Sequence, residues 1–308
     1  MAARVARAAT KPAKDNVVLG ITISHPEKAL WPKSKAGPAV TKLDLANYRG
    51  VAAERMLPHV AERPISIVRT PDGIEGETFY QRHALKGTQA SMLAIKVSGE
   101  KAPYLGIDSA AALVALAQQA VTEIHPWGCA KGDPDSPERI ILDLDPAPDL
   151  PFARVVEGAQ ELRKRLSALG LVPFVKTTGG KGLHVVIAIK GADWSEAKAF
   201  AKAVAVQLET DLPERYTTTL AKKARTGKIF IDYLRNDRTS TGVAPWSPRA
   251  REGAPVAVPI AWSQVKAGLD PQKWTIRTVG PLLKNADPWA GLAKSAKALG
   301  PAMKKVGT

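Results

Sequence analysis

The chain has 308 residues, 45% hydrophobic and 24% charged, a balance that supplies a sizeable core and excludes collagen-like, coiled-coil, disordered and membrane-spanning chains. Lys and Arg outnumber Asp and Glu by 44 to 29, and a formal charge of +15 makes nucleic acid the leading partner class. The single Cys129 allows neither an internal disulfide nor a cysteine-built zinc site, which points to a reducing, cytoplasmic compartment.

In chain order, residues 1–16 read as a flexible basic arm, with Arg4, Arg7, Lys11 and Lys14 spread among alanines. Thr41-x-x-Asp44 then opens a helix through Leu45, Tyr48, Ala52 and Met56, expected to stop at Pro58. Runs rich in strand formers follow at Pro64 to Arg69, Glu77 to Arg82 and Met92 to Val97, set apart by Pro71-Asp72-Gly73 and Lys86-Gly87. From Asp108 the apolar spacing of Leu113, Leu116, Ala117, Ala120 and Ile124 predicts a helix ending before Pro126.

The second half is more regular. Strands are predicted at Arg139 to Asp145, Val172 to Thr177, Leu183 to Ile189 and Lys228 to Leu234. Helices fall between them: one from Phe152 to Leu169, ended by Gly170, and one capped by Asp193-x-x-Glu196. This β-α-β-β-α-β order is the split βαβ, or ferredoxin-like, unit, whose sheet order 4-1-3-2 sets the first and last strands side by side. Its helices cover one face, leaving the other as the natural floor of a site. Residues 291–308 read as a flexible basic tail.

On the first of these strands Asp143 and Asp145 alternate with Leu142 and Leu144, so both carboxylates project from one face, their Cα atoms ~6.6 Å apart. On the last strand Asp232 alternates with Ile231 and Tyr233 and meets them on that face. Three carboxylates so close repel unless cations lie between them, and a pair of divalent ions bound by hard oxygens is the arrangement used for phosphoryl and nucleotidyl transfer. The plainer alternative is two solvated Asp residues at a strand end before Pro146.

The turn Thr177-Thr178-Gly179-Gly180-Lys181-Gly182 is no Walker loop, yet its small residues let backbone N–H groups approach phosphate oxygens, and Lys181 adds a cation. His184 falls on the face opposite Leu183 and Val185. Arg235 and Arg249 are candidate clamps for a triphosphate, and His125, before Pro126-Trp127, is either structural or part of the site.

Several ordered motifs together resemble the polymerase domain of bacterial ligase D, a branch of the archaeo-eukaryotic primase superfamily. They are His25-Pro26-Glu27-Lys28-Ala29-Leu30-Trp31-Pro32, Gly76-Glu77-Thr78-Phe79-Tyr80-Gln81-Arg82-His83, Glu123-Ile124-His125-Pro126-Trp127-Gly128 and Ile141-Leu142-Asp143-Leu144-Asp145-Pro146. Thr178 to Val185, Ile231 to Asn236 and Arg249 to Val256 complete the set, and the resemblance runs from about Val17 to about Trp289.

The resemblance implies an α+β primase-polymerase fold: an N-terminal α/β subdomain over 17–137 contacting template and 5′ phosphate, and a catalytic RRM-like subdomain over 138–290. It implies that Asp143, Asp145 and Asp232 bind two Mn²⁺ or Mg²⁺ ions. Thr178, Lys181, His184, Arg235, Arg249 and His125 would hold the incoming nucleotide. Lys28 and Lys42 would grip a downstream 5′ phosphate, and Phe79 or Tyr80 would stack on a template base. The function implied is NTP or dNTP addition to a primer 3′ hydroxyl at DNA breaks and gaps in non-homologous end joining. Ku and a DNA ligase would be partners, without membrane, in the bacterial cytoplasm and nucleoid. A de novo primase, a metal-dependent nuclease and a non-catalytic nucleic-acid-binding module are the rival readings.

Overall fold

A computed structural model describes residues 16–83 and 92–307; the expected arm, save its last residue, and the Lys86-Gly87 turn lie outside them. Helix α1 (Lys42–Val60) begins as its sequence predicts, with Thr41 and Asp44 exchanging side chain-to-backbone hydrogen bonds in a capping box. It does not stop at Pro58. The proline is exposed on the last turn, where its lack of an N–H forgoes one hydrogen bond without ending the helix, and Ala61 N–H closes the helix on Leu57 O.

The predicted helix after Asp108 is two elements. Helix α2 (Ala110–Gln118) ends just before Ala120, whose φ of 54° turns the chain, and a strand follows over Val121–Pro126. The β-branched Val121, Thr122 and Ile124 and the long register with Ile65–Arg69 outweigh the helical spacing of the apolar residues. With strands β1 (Ile65–Arg69), β2 (Phe79–Gln81), β3 (Leu93–Ile95) and β4 (Tyr104–Gly106), this β5 (Val121–Pro126) makes a five-stranded N-terminal sheet.

The second half folds as β6 (Arg139–Pro146), α3 (Phe152–Ala168), β7 (Pro173–Thr177), β8 (Leu183–Lys190), α4 (Trp194–Asp211) and β9 (Ile229–Asp232). The order across the sheet is β9-β6-β8-β7, all antiparallel, the 4-1-3-2 arrangement expected. Short strands extend it: Tyr216–Thr217 runs parallel to β9, Pro259–Ile260 pairs with β7, and Lys297–Ala298 pairs with the end of β8.

Alternation sorts the strand residues. Ile140, Leu142, Leu144, Val185, Ile187 and Ile231 face α3 and α4, joining Val155, Leu162, Phe200 and Val204 in the main core. The other face carries Ile141, Val186 and Ala188 at one end, covered by Trp289 and Leu292, and the carboxylates at the other. Within the stretch expected as a flexible tail, residues 291–307 are not loose: Leu292 packs on this sheet, and a short helix (Gly300–Val306) lies against α4.

Candidate active site

The three carboxylates meet because of register. Asp143 on β6 lies directly opposite Asp232 on β9 and, on its other side, opposite His184 on β8, which in turn lies opposite Lys176 on β7. Asp145, two residues on, shares the face and lies opposite Phe230. No apolar layer intervenes.

Strand β9 ends at Asp232, two residues short of the predicted Leu234, because the Asp232 side chain accepts from Leu234 N–H at 2.9 Å and turns the chain. Asn236 then pairs with both backbone groups of Ile141, at 2.7 Å each, and locks the turn. This folds Arg235 back over the carboxylates, its Nε donating to Asp143 Oδ2 at 2.8 Å while Nη2 lies 3.3 Å from Asp232 Oδ2.

Charge here is finely divided. Burial alone would raise the Asp143 carboxyl, but His184, with Nε2 at 3.3 Å, and Arg235 hold it well below the ordinary carboxylate range. Asp145 and Asp232 shift the other way: burial raises both, and the charge of Asp143 adds to it against Arg225 and Arg235. Burial, with the Lys176 ammonium beside it, pushes His184 down to about 4, so that ring is neutral at physiological pH.

A cleft of about 250 Å³ gathers Asp143, Asp145, His125, Thr178, Lys181, His184, Arg235 and Arg249, eight of the predicted residues. The glycine-rich turn forms its rim. Thr178 Oγ1 accepts from the N–H groups of Gly180 and Gly182 at 3.3 Å and donates to Gly182 O, so its hydroxyl shapes the turn. At Gly182 a Cβ would sit 2.5 Å from Leu144 O, a close approach that only glycine permits. Lys181 is exposed on the rim, and Arg249 crosses to donate from Nη1 to Thr178 O at 2.6 Å.

Asp232 and Arg235 also line an adjoining cleft of about 380 Å³ with Tyr80, Gln81, Arg82 and Ser240. Tyr80, 80% exposed, is the aromatic that reaches it; Phe79 lines neither cleft. Lys28 and Lys42 lie outside both. Lys28 pairs with Asp72 at 2.9 Å, while Lys42 is buried, donates to Ser24 O at 2.8 Å and is lowered by burial and by Lys28 nearby.

Among the described residues no group of three His, Cys, Asp or Glu is already drawn together around a position that could hold a metal ion. Two arginines lie where cations would: Arg235 against Asp143 and Asp232, and Arg225 with Nη1 3.5 Å from Asp145 Oδ2. Three hard-oxygen donors on one face, two of them raised in pKa partly by their neighbours' charge, have the donor chemistry that suits Mg²⁺ or Mn²⁺.

Sequence reasoning missed four residues here. Arg225 stacks on Phe230 at 3.7 Å and so reaches Asp145; Arg251 lies in the cleft beside Gly180; Lys176 is buried behind His184. Glu123, also buried, holds His125, and its alternation with His125 was the available signal, hidden by reading that segment as helix.

A split βαβ sheet with convergent carboxylates beside a basic, glycine-rimmed cleft defines a protein of the primase-polymerase class. The family model "LigD, primase-polymerase domain" matches residues 41–289, and the chain belongs to that family. It is 38% identical over 98% of its length to the multifunctional non-homologous end joining protein LigD of Pseudomonas aeruginosa, covering 36% of that protein. Identity to the LigD of Mycobacterium tuberculosis is 33% over 80% of this chain and 33% of the relative, so the chain spans about a third of these relatives. Among solved structures, the polymerase domain of Mycobacterium tuberculosis ligase D in complex with DNA superposes with a TM-score of 0.82 at 30% identity, covering 90% of this chain and 99% of that one.

Proposed function

We propose that the chain is a nucleotidyltransferase that adds NTPs or dNTPs to a primer 3′ hydroxyl at DNA breaks and gaps during non-homologous end joining. The observation that carries this reading is the placing of Asp143, Asp145 and Asp232 on one open sheet face beside a cleft rich in cations. The matching structure was solved with DNA, and the relatives are named for end joining.

Asp143, Asp145 and Asp232 would hold two Mg²⁺ or Mn²⁺ ions, which supply neutralisation of growing phosphate charge and a lowered pKa for the attacking hydroxyl. The chain's own cations do the rest. Lys181 and the arginines of the cleft bind and orient the triphosphate so that the 3′ hydroxyl meets the α-phosphate in line. Tyr80 offers a stacking surface for a template base, and Lys28 with Lys42 a seat for a 5′ phosphate once Lys28 gives up Asp72. Ku and a DNA ligase are the partners the reading implies, in a bacterial cytoplasm, at the nucleoid; no helix among the described residues is long and apolar enough to cross a membrane.

Extension of a labelled primer on a 5′-phosphorylated gapped duplex, with rNTP and dNTP lanes, tests the reading. Asp145→Ala removes an exposed carboxylate, so extension should fall about a thousandfold with DNA binding intact. Full activity in that variant rejects the assignment, and shortened ends would mark a nuclease instead.

A further inference from the structure

Glu123 organises one wall of the cleft. Its buried carboxylate lies 2.8 Å from His125 Nε2 and 2.9 Å from Arg249 Nε, and its other oxygen accepts from Ala250 N–H at 2.8 Å. Strand β5 places Glu123 and His125 two residues apart on one face, and the carboxylate ties that strand to the loop that brings Arg249.

The arrangement has a consequence for protons. A neutral His125 that gives its Nε2–H to the carboxylate keeps only a lone pair on Nδ1. The His125 ring lines the cleft, and its side chain is 18% exposed. A phosphate oxygen is itself an acceptor, so a ring in that state has nothing to offer it; a second proton, on Nδ1, is required.

We infer that His125 takes up a proton from solvent when the nucleotide triphosphate enters the cleft, and that Glu123 is the positioning residue that holds the ring for it. This deepens the proposed function and rests on it. The proton adds to Nδ1 and no other bond changes, giving a carboxylate–imidazolium–phosphate chain.

The charges facing His125 are consistent with this. Burial, Arg249 and Arg235 hold the empty site's imidazole below its ordinary value, while Glu123 opposes them, so the ring is neutral at about pH 7.5 before nucleotide arrives. Asp143, Asp145, Lys181, His184 and Arg251 are the other titratable or charged groups that line the cleft. The several negative charges of a triphosphate favour the imidazolium at close range. His184, the other histidine of the cleft, is pushed down to about 4 and takes no proton in this range.

The test is calorimetric titration of Mg²⁺-GTP into the primer-free protein at about pH 7.5, in buffers of unlike ionisation enthalpy, which counts protons exchanged. Wild type should take up about one proton per nucleotide, and its Kd should rise by up to about tenfold per pH unit through the range of uptake. Glu123→Gln keeps the side chain's shape and an acceptor for Ala250 but removes the charge that favours the imidazolium. Uptake in that variant should fall by half or more, and its binding should weaken about tenfold at pH 7.5 and recover towards pH 6, whereas a merely structural role would weaken binding equally at every pH. His125→Asn should abolish the uptake, and it decides the matter should Glu123→Gln fail to fold. GTP bound by wild type without proton uptake, or with the same uptake in His125→Asn, overturns the inference and leaves the proposed function standing. Failure of wild type to bind Mg²⁺-GTP at all would instead overturn the nucleotide site itself.

Discussion

The sheet face that carries the carboxylates is two surfaces in one. At one end Ile141, Val186 and Ala188 are sealed by Trp289 and Leu292; at the other, one step along, Asp143 and Asp145 line one cleft and Asp232, on the neighbouring strand, the cleft adjoining it. Alternation treats both ends alike, since residues 141, 143 and 145 point the same way. What separates them is the cover: an apolar segment from the chain's end on one side, a charged turn and loop on the other. One end therefore serves packing alone, and the other also carries charge that a ligand in the cleft can meet.

Substitutions at the two ends should separate these roles. The largest effect belongs to Asp143→Ala, which should lose about a thousandfold in primer extension, as Asp145→Ala does. Unlike Asp145, Asp143 is a buried counter-ion of Arg235 that also lies against the neutral His184 ring, so this variant should also lose about 3 kcal/mol in urea unfolding. Acid should mimic that loss. Because the folded-state pKa of Asp143 is depressed, its contribution is complete above its unfolded value of ~3.9 and disappears as pH falls below that towards the folded value. A pH series of urea midpoints should therefore show wild type converging on Asp143→Ala at low pH; a constant gap would reject the assignment.

At the sealed end, Trp289→Ala opens a cavity and orphans Val175 O, which accepts from Trp289 Nε1 at 2.9 Å. It should cost about 3–5 kcal/mol in the same unfolding assay, with extension at low temperature nearly unchanged. Activity falling in step with Asp143→Ala would show that the two ends are not separable. The smallest effect is at the margin of the open end: Tyr80→Ala should weaken binding to gapped DNA about tenfold, read by fluorescence anisotropy, with no change in melting temperature.

How much was legible beforehand varied with distance along the chain. The second-half unit was readable almost residue by residue, because α4 carries a capping box, α3 a regular apolar stripe, and its strands alternate cleanly. The segment holding His125 was misread. Its apolar residues fit a helical spacing, and only pairing with Ile65–Arg69, far away in sequence, makes it a strand. Glu123, though part of a quoted motif, went without a role for the same reason. Arg225 was invisible for a related reason, since nothing local announces that stacking on Phe230 will carry a guanidinium to Asp145.

The sequence by itself determined the α+β class, the strand faces and the identity of the converging carboxylates, because alternation and capping act within a few residues. Tertiary structure alone decided which Asp is held ionised and which are raised, that Tyr80 and not Phe79 meets the cleft, and that the chain's end seals half of the face. Those outcomes depend on burial and on charges brought together from distant segments, and neither quantity exists until the chain is packed.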